Sequence, residues 1–209
     1  MNIMKVLLIN GSPHREGCTY TALKEVAGAL EKNGVETQIF QLGTKAVYGC
    51  TACGKCRETG CCVLGDDAYN ELSKLCTEAD GLVIGSPVYF AGPNGALCAL
   101  LDRIFYSMGR KLLYKPGAVV VSCRRGGSSA TFDRLNKYFT ISQMPVVSSQ
   151  YWNSVHGFTP EHVKLDLEGM QTMRTLGTNM AWLLKSIKAG DGPIPLDEPH
   201  AFTSFHDGL

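Results

Sequence analysis

The sequence has almost no net charge and no long hydrophobic run. Its 209 residues include 20 basic and 19 acidic side chains, which gives a formal net charge of +1. Nucleic-acid-binding domains usually carry a basic face and membrane spans need long apolar runs, so we expect neither partner. The first apolar run, residues 4–9, is too short for the core of a signal peptide. We therefore expect a cytoplasmic protein.

Two common nucleotide-binding motifs are also missing. Neither G-x-G-x-x-G nor G-x-x-x-x-G-K-[ST] occurs, which disfavours a dinucleotide-binding domain and a P-loop NTPase. The chain does contain nine cysteines. Because no export signal is recognisable, these cysteines do not indicate a disulfide framework.

Hydrophobic periodicity alternates along the chain. Apolar residues at helical spacing predict five helices, and five short apolar runs between them predict strands covered on both faces. Strands alternating with helices indicate an α/β fold with a doubly wound parallel sheet. We expect one domain over residues 1–190 and a C-terminal tail over residues 191–209. The predicted strands are residues 4–9, 35–42, 81–86, 118–122 and 145–149.

Three local signals mark predicted helix starts. Asp66-Asp67 is a plausible N-cap for the second helix, and Pro93 suits the first residue of the third. The sequence Thr159-Pro160-Glu161 opens a long final helix.

Ligands of open parallel sheets bind beyond the carboxyl ends of the strands. The loop after the first strand, residues 10–19, is rich in glycine and hydroxyl residues and offers backbone N–H groups and a helix dipole to a phosphate. Arg15 adds a charged fork. The alternative is an ordinary turn between a strand and a helix.

The loops after the third and fourth strands point to a flat ligand. Tyr89 and Phe90 lie in a loop bounded by prolines and glycines, where an aromatic pair either covers a ring or packs within the protein or against another subunit. Gly126 and Gly127 would let the backbone approach the edge of a ring.

The cysteines Cys50, Cys53, Cys56 and Cys61 form the run C-x₂-C-x₂-C-x₄-C, with Cys62 directly after it. Four thiolates this close can surround a cube of iron and sulfide. Zinc sites usually separate their ligand pairs by a longer loop, which disfavours zinc. Free redox-active thiols remain an alternative.

Together, GSPHREGCTYTAL, GSPVYFAGPNGALCALLDR and the glycine pair resemble the NADPH-dependent FMN reductases and related multimeric flavodoxins. The resemblance implies a flavodoxin-like sheet of strand order 2-1-3-4-5, FMN as cofactor and a homodimer or homotetramer. It implies a phosphate site, a wall along the isoalloxazine and contacts at the other edge of the ring. The residues implied for the phosphate site are Ser12, His14, Arg15, Cys18 and Thr19. Those implied along the isoalloxazine are Pro87, Val88, Tyr89 and Phe90, and those implied at its other edge are Gly126 and Gly127.

The cysteine spacing resembles that of the iron–sulfur flavoproteins, a branch of the same family. The resemblance implies a [4Fe–4S] cluster that passes single electrons to FMN and is held by Cys50, Cys53, Cys56 and Cys61. Relatives with a similar loop but no cluster are the alternative.

These interpretations lead to one function and three rivals. The leading hypothesis is an NAD(P)H-dependent oxidoreductase whose flavin carries the chemistry, without an essential acid–base side chain, and which reduces an unidentified acceptor. The rivals are a non-enzymatic electron carrier, a thiol-based redox-responsive flavoprotein and a flavin-free scaffold. Trp152 and His156 are expected to be structural, although such residues can also reach a neighbouring subunit's flavin.

Overall fold

A parallel sheet forms the centre of the protein, as the alternating pattern predicts. The computed structural model describes residues 3–65 and 68–190, with residues 192, 193, 195, 198, 199 and 201 of the C-terminal segment. Neighbouring strands follow the order β2-β1-β3-β5-β6, and β4 pairs antiparallel with β3. The strands are β1 (Lys5–Asn10), β2 (Glu36–Gln41), β3 (Gly81–Tyr89), β4 (Gly92–Pro93), β5 (Gly117–Cys123) and β6 (Ser154–His156).

The sheet differs from the prediction in two strands. The two-residue strand β4 was not expected; without it, the five parallel strands have the predicted order. The last parallel strand is β6, whereas residues 145–149 contribute only an isolated bridge between Gly117 and Val146. Pro145 has no N–H to donate to a ladder, and Val146 is 41% exposed, so the pairing of this segment does not extend beyond the bridge.

The helices also correct the prediction in part. They are α1 (Cys18–Lys32), α2 (Cys56–Thr59), α3 (Tyr69–Glu78), α4 (Gly95–Met108), α5 (Ser128–Ile141), α6 (Pro160–Leu165) and α7 (Leu167–Ala189), with a short 3₁₀ helix at Gly109–Leu112. The predicted single final helix is thus two helices. They part at Asp166, where the backbone leaves the helical conformation. The Asp166 side chain caps α7 by accepting a hydrogen bond from the N–H of Gly169 at 2.9 Å.

Two of the predicted helix starts need comment. Pro93 belongs to β4 rather than to a helix, and α4 begins at Gly95. The N-cap is Asn94, whose side-chain oxygen accepts from two backbone N–H groups of the first turn. This asparagine cap satisfies two first-turn donors that have no partner within the helix. The proposed cap Asp66-Asp67 lies outside the described residues.

Alternate residues of the central strands feed two apolar layers. In β1, Leu7 and Ile9 pack into the layer covered by α3, α4 and α5, while Val6 and Leu8 pack into the layer covered by α1 and α7. This division is the doubly wound arrangement and confirms the predicted fold class. No helix among the described residues is long and apolar enough to cross a membrane.

The predicted domain division stays a prediction. Helix α7 ends at Ala189, one residue before the expected boundary. Most of the predicted tail, residues 191–209, lies outside the described residues.

Candidate functional site

Four loops meet at the carboxyl edge of the parallel strands. The N–H of Gly11, after β1, donates to the carbonyl oxygen of Gly85 in β3 at 2.9 Å. The Thr19 and Ser122 hydroxyls, from α1 and β5, are 2.7 Å apart and buried. The sheet therefore brings together the loops that the sequence singled out.

The turn between β1 and α1 is held by two side-chain amides that were not predicted as site residues. Asn10, fully buried, donates to the side-chain oxygen of Gln41 at 2.6 Å and to the carbonyls of His14 and Arg15 at 3.4 Å. Gln41 donates to the carbonyl of Ser12 at 2.7 Å. Three carbonyls of the turn are thus bound from within, which fixes its path.

The same turn leaves its backbone donors free. Among the described residues, no other residue accepts a hydrogen bond from the N–H groups of residues 15–20; the N–H of Cys18 lies against its own sulfur. The first N–H groups of a helix have no intrahelical partner, and the N-cap of α1 is Gly17, which has no side chain to supply one. Six consecutive donors at the positive end of a 15-residue helix form an anion-binding arrangement.

The predicted phosphate residues occupy different depths around this turn. Ser12 and Thr19 are buried, and the Ser12 hydroxyl accepts from the N–H of His14 at 3.1 Å. His14 and Arg15 are exposed. Cys18 is half-buried at the start of α1.

Burial raises the pKa of the Cys18 thiol, and the nearby Glu161 carboxylate adds to the rise. The side chain is therefore an uncharged thiol at neutral pH. Its sulfur lies 3.8 Å from the carbonyl oxygen of Gly157, in the loop after β6. A neutral thiol places no negative charge beside the free donors of the turn.

The aromatic pair lies on a hairpin between β3 and β4. Phe90 and Ala91 both have positive φ, +50° and +58°, as the two central residues of a type I′ turn do. Phe90 is fully exposed at the tip, and Tyr89 is 43% exposed. Pro87 and Val88 are half-buried behind them.

The base of this hairpin is tied down by Ser86. Its buried hydroxyl accepts from the N–H of Asn94 at 3.0 Å and donates to the carbonyl of Pro87 at 2.8 Å. The hairpin therefore projects as a fixed unit from the edge of the sheet.

The two glycines after β5 differ in backbone conformation and in the space around them. Gly127 has φ +87°, and a Cβ built there would lie 2.8 Å from the Cα of Ala91 and 3.0 Å from a methyl of Val88. A Cβ built on Gly126 would meet nothing within 4 Å. Gly127 thus allows the loop after β5 to touch the hairpin, while Gly126 borders open space.

The two other candidates are placed by local contacts. The backbone N–H of His156 donates to a carboxylate oxygen of Asp166 at 2.6 Å, and its ring nitrogen lies 3.6 Å from the same oxygen. Trp152 is 58% exposed and stacks in a tilted pair with Tyr151. Trp152 lies two residues before β6, and His156 is the last residue of that strand.

The cysteine loop lies between β2 and α3, against α4. Cys50, Cys53, Cys56 and Cys62 line one cavity there together with Arg103 of α4. Among the described residues, no three histidine, cysteine or acidic side chains are arranged to hold a single metal ion. The four thiols of this cavity would supply the four thiolates that a cube of iron and sulfide requires.

The polar residues Asn10, Gln41, Ser86 and Ser122, of which Gln41 is half-buried and the others are buried, escaped the sequence analysis. Asn10 alone gave a local signal, since it ends an apolar strand directly before a glycine, where a turn begins. Gln41, Ser86 and Ser122 gave none, because their roles depend on contacts with distant parts of the chain.

A sequence profile described as "NADPH-dependent FMN reductase" matches residues 4–159. The chain belongs to this family. FMN is the cofactor that goes with the membership. The expected flavodoxin-like fold is confirmed as well, because the structural neighbours of this chain have that fold.

Relatives of this FMN reductase family member include several iron–sulfur flavoproteins. One from Methanocaldococcus jannaschii is 36% identical over 193 residues, covering 88% of this chain and 100% of the relative. Another from Methanosarcina thermophila is 31% identical over 193 residues, covering 88% and 97%. These matches confirm the predicted relationship to the iron–sulfur flavoproteins.

Two solved structures are similar in fold at low sequence identity. RosB with a bound intermediate has a TM-score of 0.68 at 14% identity and covers 97% of this chain and 94% of its own. A WrbA-like flavodoxin protein from Agrobacterium tumefaciens has a TM-score of 0.60 at 15% identity, with 89% and 99% coverage. At these identities the likeness concerns the fold alone.

Proposed function

We propose that this protein is an NAD(P)H-dependent FMN oxidoreductase that passes electrons from the nicotinamide to an acceptor through a [4Fe–4S] cluster. The family membership supports the oxidoreductase class. The nicotinamide dependence and the cluster are the new parts of the proposal.

The observation that carries the flavin site is the set of free backbone donors at residues 15–20. A phosphate monoester carries negative charge and accepts several hydrogen bonds, so it fits donors that nothing else occupies. The buried residues Ser12 and Thr19 add hydroxyl groups to these donors. Arg15 is exposed beside the turn, where its guanidinium can reach a phosphate oxygen. Asn10 and Gln41 keep the donors turned outward by binding the carbonyls.

The ring of the flavin would lie against the hairpin. Val88, Tyr89 and Phe90 offer an apolar surface that water otherwise covers, and Gly127 lets the neighbouring loop come close. Bound FMN supplies hydride and single-electron chemistry. The chain itself positions the ring, limits water on one face and leaves the other face open to a nicotinamide.

The cysteine loop fits an iron–sulfur cluster by its chemistry. Three of the predicted ligands, Cys50, Cys53 and Cys56, line one cavity with the cationic Arg103. Thiolates and a nearby cation suit a cluster of net negative charge. The names of the two archaeal relatives support the same assignment.

The decisive experiment is anaerobic rapid mixing of the FMN-loaded protein with NADPH and, separately, with NADH. The proposal predicts loss of the visible flavin absorbance in a single turnover with at least one of them. If neither nucleotide bleaches the flavin, the dependence on nicotinamide is wrong, and an electron carrier becomes the better interpretation.

The flavin site is tested with a matched pair of asparagine variants. Asn10→Ala frees the carbonyls of the turn and is expected to weaken FMN binding about tenfold or more, because about 1.4 kcal/mol of lost interaction suffices. Asn70→Ala, at an exposed position of α3, should leave it unchanged. Binding is measured by quenching of FMN fluorescence, and equal affinities in the two variants would contradict the proposed phosphate site.

We also propose a homodimer or homotetramer, because several aromatic side chains remain exposed. Phe90, Tyr151 and Trp152 are each more than half exposed. Exposed aromatics are typical of subunit contacts. Light scattering of the eluting protein would give the mass, and a monomer at micromolar concentration would refute this part.

A further inference from the structure

We infer that Cys62, rather than Cys61, is the fourth thiolate of the cluster, and that Arg103 positions it. The inference rests on the proposed function, in which the cysteine loop holds a [4Fe–4S] cluster. Sequence spacing does not separate the two cysteines, because they are adjacent and either one completes a compact run.

The two adjacent cysteines line different clefts. Cys62 lines the cavity that also contains Cys50, Cys53 and Cys56. Cys61 is exposed and lines a separate cleft, formed mainly by α3 and the start of the 3₁₀ helix, with Lys74 and Lys111. The chain bends at Gly60 and Cys61, just before Cys62.

Arg103 is the residue that ties Cys62 to the loop. It lies on α4 and is 1% exposed, the largest fully buried side chain of the described residues. Its Nε donates to the sulfur of Cys62 at 3.3 Å. Its two terminal nitrogens donate to the carbonyls of Tyr48 at 3.3 Å and Leu64 at 2.6 Å, on either side of the cysteines.

One guanidinium therefore fixes the start of the loop, its end and one thiol. The five donors of arginine lie in a rigid plane, so contacts to three parts of the loop also fix their relative positions. The guanidinium carbon lies 4.9 Å from the centre of the Tyr69 ring, which keeps the plane in place.

The backbone of Cys62 is held as well. Its N–H donates to the hydroxyl of Tyr69 at 3.0 Å, and that hydroxyl lies 2.6 Å from the hydroxyl of Ser107 on α4. Among the described residues, by contrast, the backbone of Cys61 hydrogen-bonds only with the hydroxyl of Thr59, two residues earlier. Cys62 is thus anchored to the helices of the fold, whereas the contacts of Cys61 are local.

A thiolate at Cys62 would receive a charge-assisted hydrogen bond from a group that stays protonated. Hydrogen bonds to ligating sulfurs, together with the charge around the cluster, set its reduction potential. A donor of positive charge stabilises the more reduced, more negative form. Arg103 is therefore expected to raise the potential of the cluster as well as to position its ligand.

The ligand assignment is tested by Cys61→Ser and Cys62→Ser, purified with FMN and reconstituted anaerobically with iron and sulfide. Cys61→Ser should match the unmodified protein in iron, sulfide and the electron paramagnetic resonance spectrum of the reduced cluster. Cys62→Ser should lose iron or show a changed spectrum. Equal FMN content in both variants shows that each one folds.

The outcomes distinguish the inference from the proposed function. If Cys61→Ser loses the cluster while Cys62→Ser keeps it unchanged, the inference is overturned and the cluster stands. If the unmodified protein takes up no iron and sulfide, both are overturned.

The role of Arg103 is tested by the reduction potential of the cluster. Arg103→Met should shift it to a more negative value, and Arg103→Lys, which keeps the charge but not the fork, should shift it less. Arg57→Met removes an exposed cation from α2 of the same loop and should change it little, since solvent screens that charge. Equal potentials for the Arg103 and Arg57 variants would refute the assignment, whatever the result for the cysteines.

Discussion

Replacement of Gly127 by alanine tests the contact on which the proposed flavin wall, the hairpin that carries Val88 and Tyr89, depends. The residue has φ +87° at the N-cap of α5, a left-handed conformation that costs an alanine about 1–2 kcal/mol. The added Cβ would also lie 2.8 Å from the Cα of Ala91, which is backbone and cannot rotate away. Forcing such an overlap typically costs about 1–3 kcal/mol.

Taken together, these costs predict that Gly127→Ala lowers the free energy of unfolding by about 3 kcal/mol. For a protein of this size, that corresponds to a decrease in melting temperature of about 6–12 °C. The variant should also weaken FMN binding, because the strain is relieved most easily by moving the hairpin that carries Val88 and Tyr89.

Gly126→Ala is the matched control, one residue away. Its added Cβ meets nothing within 4 Å, and its φ is not positive. We expect its free energy of unfolding to stay within about 0.5 kcal/mol of the unmodified protein. Both variants are measured by urea unfolding without flavin and by FMN titration. If the two alanine variants are equally stable and bind FMN equally well, the proposed contact between the glycine loop and the hairpin is wrong.

Three further predictions concern stability, and each is measured by urea unfolding. Thr19→Val should cost about 1–3 kcal/mol because it leaves the buried Ser122 hydroxyl unpaired, whereas Thr19→Ser should recover most of it. Gly177→Ala should destabilise the protein by about 1–3 kcal/mol because its Cβ would lie 2.6 Å from a backbone oxygen of α1. Its control is Gly28→Ala, inside α1, where the added Cβ meets open space and should stabilise the protein by about 0.5–1 kcal/mol. Asn94→Ala should cost about 1 kcal/mol through loss of the α4 cap, and Asn94→Asp should keep most of it. Equal stability of a variant and its control would contradict the contact concerned.

Hydrophobic periodicity was sufficient to predict the sheet and most helices, because each central strand is an apolar run buried on both faces. It failed where a tertiary contact decided the structure. Residues 145–149 look like a strand, but the sheet instead pairs Ser154–His156 with the end of β5. The break between α6 and α7 depends on Asp166, whose side chain also binds the backbone of His156, a contact that no periodicity reveals.

The loop that covers the predicted flavin ring was located from sequence, but its shape was not. Tight hairpins usually place Asn-Gly or Asp-Gly at their two central positions, whereas here Phe90 and Ala91 adopt the left-handed conformation. Local preference opposes that geometry in both residues. The hairpin is therefore held in this conformation by tertiary contacts. Ser86 hydrogen-bonds with the backbone of Asn94 and Pro87, and Gly127 packs against Ala91.

In the cysteine loop, too, the sequence identifies the feature but not the tertiary contacts that position it. Spacing identifies a compact set of thiols, but it treats Cys61 and Cys62 as equivalent, since one residue more or less is acceptable in such a run. The difference comes from Arg103, which lies 41 residues after Cys62 and looks, from the sequence alone, like an ordinary helical cation. Its burial against Cys62 gives one of the two thiols a fixed position and a charged donor. The choice of ligand that we infer would therefore depend on the packed helix α4 rather than on the cysteine motif, and the paired serine variants test that dependence directly.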